Sequence, residues 1–226
     1  SKSLSETLNK VTLPIFLNES CWAFGNITYT AIYASIGTSA AASIQICSTV
    51  MNLFMIVTFG LANAAVVIIG NEIGANRESE AISASKKISS LSFKISILLA
   101  IVLAFLSKPI VSFFNVSVEV KIASEYILYV YAFILVFKIY NAVMIVGILR
   151  GGGDATYGSI LQGLTLWLIG IPLAAFAAFI IKLPIYFVVM FAAVEEIIKV
   201  FFMMKRFKSF KWIKNMVNDE QNEVLT

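Results

Sequence analysis

Glu19, Lys138, Glu195 and Glu196 stand inside long apolar runs. A charge at the centre of a membrane helix costs about 2.5–3.5 kcal/mol on insertion scales, so such a residue is close to an interface or functional. Glu19 follows Asn18 in the run Leu13-Pro-Ile-Phe-Leu-Asn-Glu-Ser-Cys-Trp22, about 12 Å of helical rise beyond Val11. A carboxylate there holds a proton, binds sodium, or pairs with a cation. Asn18 beside it hydrogen-bonds a neighbour without neutralising it. Lys138 and Asn141 are three residues apart and share a helix face. They line a cavity, or Lys138 forms a structural ion pair with a glutamate on another helix. Glu195 precedes Lys199 by four residues, the favourable order for an intrahelical pair. Glu196 points about 100° away without a partner at that spacing, which makes it the second candidate for ion coupling. Lys94 and Lys199 lie near the inner ends of their runs, close enough to snorkel. There is no histidine, the commonest general base and metal ligand. No nucleophile–base pair and no metal-ligand cluster is visible, so the expectation is not an enzyme and no cofactor.

The elements that must hold these residues are membrane helices. Of 226 residues, 59% are hydrophobic and 13% charged, and mean hydropathy is +0.89. Soluble domains carry roughly 45–50% apolar and about 25% charged residues. Disorder is excluded by the same figures. Cys21 and Cys47 both lie in apolar runs, which excludes a disulfide scaffold. Six apolar segments are legible, at about 13–36, 40–70, 88–106, 126–149, 160–181 and 185–204. Runs such as Ile95–Leu106 do not alternate, against a membrane β-barrel. The fold class expected is all-α, with a cytoplasmic segment at 1–12, a six-helix membrane lobe at 13–204 and a basic cytoplasmic tail at 205–226. The chain opens without Met and without a signal pattern, and reads as an internal start.

With the amino terminus inside, the inner segments hold eleven of the 17 Lys and Arg and the outer loops three. Positive charge favours the cytoplasmic side, which places both ends there, in a plasma membrane. The same rule accounts for the basic aromatic stretch Lys205–Lys214, with Trp212 at the interface. Nucleic acid is therefore not an expected partner; the lipid bilayer is. Ala31/Ser35 and Ala174/Ala178 are small-xxx-small pairs suited to close helix packing. Arg150-Gly151-Gly152-Gly153-Asp154 lacks the Lys-Ser or Lys-Thr of a phosphate loop. It reads as a tight structural turn, which an Arg150–Asp154 pair would fix.

Three stretches carry a family resemblance. Gly60-Leu-Ala-Asn-Ala-Ala with Gly70-Asn-Glu-Ile-Gly-Ala-Asn-Arg-Glu-Ser-Glu-Ala81 resembles the loop after the second helix of each half of MATE (multidrug and toxic compound extrusion) transporters. Gly147-Ile-Leu-Arg-Gly-Gly-Gly-Asp154 resembles the Gly-x-Leu-Arg-Gly-x-Gly-Asp signature after the fourth helix of a half. Leu13-Pro14, then Glu19 and Trp22, then Gly37 and Ala41, fit the opening of the second half. The resemblance implies one six-helix lobe of a twelve-helix transporter, the carboxyl-terminal one, with the amino-terminal lobe as its missing partner. It implies export of organic cations or drugs against entering protons or sodium. One departure is visible. Members with a second-lobe cation site place a carboxylate in the fourth helix of that lobe, whereas Lys138 and Asn141 stand here, and no carboxylate lies between Tyr126 and Leu149. The rival readings are a lipid or polysaccharide flippase of the same superfamily, a non-transporting membrane assembly subunit, and a six-span channel, for which no filter-like loop is visible.

Overall fold

The computed structural model describes residues 20–214. They are almost entirely helical, without strands among the described residues. Helix α1 covers 20–36, α2 Thr38–Gly74 and α3 Glu78–Ser112. Helix α4 runs over Val118–Leu149 and α5 over Ala155–Ile180. The last span is split into α6, Ile185–Ala192, and α7, Val194–Lys208. The backbone polar groups are thus satisfied within the segments, as lipid demands. Side-chain hydroxyls follow the same rule. Thr28, Ser43, Ser96 and Ser107 each donate to a carbonyl one turn back, which hides a polar atom in an apolar setting.

Four of these helices, α2 to α5, are long and apolar enough to cross a membrane. They differ in where their apolar surface goes. In α4, 67% of the apolar window is buried, against 22% in α3. Helix α4 is therefore the central element, with α2 and α3 packed along it. Buried Ser85, Ser92, Ser96 and Ser107 form a stripe of small residues on α3, which lets backbones approach. Large apolar side chains such as Phe105, Leu98 and Ile101 remain exposed on α3, as a lipid-facing wall requires.

The helices overrun the apolar segments at several ends. Helix α2 continues to Gly74 and α3 starts at Glu78, so the polar stretch after Gly70 is mostly helix. A turn of Ala75–Arg77 remains, bridged by an Arg77–Glu72 ion pair at 2.7 Å. Helix α3 also passes through Pro109. Proline there removes one i→i−4 hydrogen bond, within the last turn of the helix. Between α1 and α2 the chain reverses through Gly37 alone, at φ 149°, a conformation that only glycine adopts without strain. Ala174 and Ala178 are buried, whereas Ala31 and Ser35 are exposed. Helix α1 turns that small face outward.

Candidate functional site

The break between α6 and α7 at Ala193 positions the site. It leaves Glu195 and Glu196 in the first turn of α7, where the positive end of the helix dipole favours a carboxylate. The Asn141 amide of α4 donates to Glu196 Oε2 at 2.7 Å and to the Glu196 carbonyl at 2.9 Å. Lys199 Nζ lies 3.3 Å from Glu196 Oε1. This corrects two expectations. Glu196 is not without an intrahelical partner; it is the residue that pairs with Lys199, at i,i+3 rather than i,i+4. Lys199 does not snorkel, since it is 5% exposed. The reason is tertiary: Asn141 turns one Glu196 oxygen toward α4 and leaves the other facing Lys199.

These groups line a cavity of about 670 Å3 enclosed by α1, α2, α4, α5, α6 and α7. Its aromatic wall includes Trp22, Tyr29, Tyr33, Phe59 and Tyr131. Tyr29 and Tyr33 stack at 5.9 Å with planes 5° apart. Lys138, Asn141 and Glu196, singled out in the sequence, meet here, together with Arg150, Glu195 and Lys199. Glu19 and Asn18 lie outside the described residues. Tyr29 escaped the sequence reading. Its signal is the series Asn26, Tyr29, Tyr33, spaced to give an otherwise apolar helix one polar face.

The two sequence signatures meet at one crossing. A Cβ on Gly147 would lie 2.8 Å from the Ala65 Cβ and 3.2 Å from the Ala62 carbonyl. One on Gly151 would lie 3.1 Å from the Val66 backbone. The two glycines, one turn apart, thus let α4 cross α2 at van der Waals distance over the stretch that begins at Gly60. The MatE family model matches residues 14–176. The chain belongs to the MATE family. An uncharacterised transporter of Schizosaccharomyces pombe is 27% identical over 172 residues, covering 76% of this chain and 31% of the relative. A MOP superfamily transporter from Pyrococcus furiosus superposes with a TM-score of 0.84 at 16% identity, over 94% of this chain and 47% of its own. A Vibrio cholerae MATE transporter gives 0.81 at 16%, over 94% and 49%. At that identity the structural likeness shows the fold. The chain spans about a third of the curated relative and about half of each solved structure, the extent of a single MATE lobe.

In this MATE lobe the turn after α4 is held from a distance. Asp154, 1% exposed, accepts from Arg206 Nε at 2.7 Å and from Lys214 Nζ at 2.6 Å. The Arg150–Asp154 pair expected from the sequence gives way to this arrangement, and Arg150 lines the cavity instead. Gly153 adopts φ 86°, so the turn needs glycine there. Trp212 is fully buried and packs over Gly152, where any Cβ would collide with the indole. The Lys214 amide donates to the Gly152 carbonyl at 2.8 Å. The expectation of Trp212 as an interfacial anchor is thus corrected. The indole seals the turn, because the chain folds back after Lys208 and Trp212 Nε1 donates to the Phe207 carbonyl at 3.2 Å.

Proposed function

We propose that this MATE lobe is the carboxyl-terminal half of a cation-coupled antiporter that exports organic cations or drugs. The observation that carries the reading is the adjacent pair of carboxylates, Glu195 buried and Glu196 half-buried and ion-paired, on the wall of an aromatic-lined cavity. Aromatic faces attract organic cations. A buried carboxylate that takes up a cation changes the charge of the cavity, and so biases inward-open against outward-open states. The amino-terminal lobe supplies the facing wall, since alternating access moves one bundle against the other. The transported proton or sodium ion is the coupling ion, and the partners are the bilayer, the organic cation substrate and the amino-terminal lobe. The lobe acts as a transporter rather than an enzyme. Glu19, with Asn18 beside it, is a further ion-coupling candidate on the sequence argument that a carboxylate within an apolar run is costly.

The orientation follows from the cation bias: both termini cytoplasmic, in the plasma membrane. In a cysteine-free whole protein, Asn115→Cys should react with an impermeant thiol reagent from outside, and Glu78→Cys only after permeabilisation. The opposite pattern inverts the topology. For the activity, the whole protein in proteoliposomes should move a fluorescent organic cation against an imposed proton or sodium gradient. The 226-residue lobe alone should not. Absence of gradient-driven movement by the whole protein, at any gradient, overturns the antiporter reading.

A further inference from the structure

Glu195 and Glu196 are adjacent in the chain and opposite in bonding. Glu196 receives a lysine ammonium on one oxygen and an asparagine amide on the other. As oriented, both groups donate to the carboxylate, a set that suits an ionised Glu196. Glu195 is 8% exposed, yet its Oε2 is buried without a hydrogen-bond partner, as is the Tyr29 hydroxyl. These two orphaned oxygens come together over one residue of α5. A Cβ added at Gly170 would collide with the Tyr29 hydroxyl and stand 3.0 Å from Glu195 Oε2. Gly170 closes the π-helical segment Leu166–Gly170, a type of irregularity frequent at functional sites.

We propose that Glu195, positioned by Tyr29, is the proton-exchange site of this lobe, and that Glu196, Asn141 and Lys199 form the fixed frame around it. This deepens the antiporter reading and rests on it. A tyrosine hydroxyl is both donor and acceptor, so Tyr29 serves either state of its neighbour. It donates to Oε2 when Glu195 is ionised, and accepts from the Oε2 hydrogen when Glu195 is neutral. The proton enters from water on the side to which the cavity is open, forms an O–H bond at Oε2, and leaves to water on the other side. Hard metal ions gather about six or more oxygens, whereas two unpartnered oxygens meet at Gly170. That donor set fits a proton better than a bare sodium ion.

The ionisable groups facing Glu195 are Tyr29 and Tyr33 from α1, Lys138 from α4, and Glu196 and Lys199 from its own helix. From α5 it meets the uncharged Gly170. The two lysines favour the carboxylate; burial and Glu196 favour the acid. A proton on Glu195 raises the cavity charge by one and leaves Lys138 and Lys199 to share the single carboxylate of Glu196. A cationic substrate is then repelled, which links proton entry to substrate release.

The test uses the whole transporter in proteoliposomes and detergent. Glu195→Gln should lower proton-gradient-driven transport at least tenfold and should hold substrate affinity at one weakened, pH-independent value, since the amide is fixed neutral. Tyr29→Phe should keep the maximal rate but displace the pH profile of driven transport. A pH-titrated infrared difference spectrum should show a protonated-carboxyl band that Glu195→Gln removes and Glu196→Gln keeps. Normal driven transport in Glu195→Gln, or a band lost with Glu196→Gln instead, overturns the assignment. So does loss of sodium-driven rather than proton-driven transport. If the parent protein moves no substrate under any gradient, the antiporter reading fails, and the infrared band still decides the proton site.

Discussion

The turn after α4 and the wall of the cavity each withdraw a carboxylate from water, Asp154 at 1% exposure and Glu195 at 8%. Asp154 gives one oxygen to Arg206 and the other to Lys214. Glu195 keeps an oxygen without a partner. The turn is also sealed by a fully buried tryptophan, whereas the carboxylate in the cavity faces about 670 Å3 of open space. A carboxylate whose hydrogen-bonding capacity is filled by cations from distant segments holds a fold together. A carboxylate with spare capacity at a cavity wall is available to a ligand. Glu196 belongs with the first kind although it stands beside the second.

That division is open to breakage by substitution, read as the change in unfolding free energy of the whole transporter in detergent. Trp212→Ala should have the largest effect, about 3–5 kcal/mol, since the indole is the largest side chain buried at the turn. A loss under 1 kcal/mol would mean that the tail does not seal it. Glu196→Gln should cost about 3 kcal/mol, because Lys199 is then left buried without its ion pair. Asp154→Asn should cost about 2 kcal/mol. Its partners Arg206 and Lys214 have side chains 20% and 45% exposed, and water compensates them in part. Substrate affinity in Asp154→Asn should stay within twofold, and a large loss in folded protein would move the turn into the site. Glu195→Gln should stay within about 0.5 kcal/mol, as the amide satisfies Tyr29 with no ion pair broken. Equal losses for Glu195→Gln and Glu196→Gln would erase the contrast.

The spans were legible because lipid imposes length and hydropathy on them. The positions of Lys138, Glu195 and Glu196 were legible because charges in such runs are costly. What escaped the sequence was pairing. Local spacing offered Glu195 to Lys199 and Arg150 to Asp154, both at i,i+4. The structure chose otherwise at each, through groups far along the chain. Asn141 is 55 residues from Glu196, and Arg206 and Lys214 are 52 and 60 from Asp154. Helix ends escaped for a related reason. The apolar run stops where lipid stops, but the helix continues until a turn such as Ala75–Arg77 interrupts it. Glycine told more. Gly147 and Gly151 were singled out as a signature, and the structure gives both the same cause, a backbone crossing with α2 too tight for a Cβ.

The distance from Asp154 to Lys214 sets an order of events during synthesis. Chains elongate at about 5–20 residues per second, so the 60 residues that separate the pair take roughly 3–12 s to make. Over that interval the aspartate leaves the ribosome ahead of both cations that will hold it, and α4 and α5 are joined by a turn whose seal does not yet exist. Closure of the turn therefore reports that the last span has been delivered. A chain halted before residue 185 would carry five spans and an unmet acidic group at the turn after α4, a feature by which quality control could tell an unfinished lobe from a finished one.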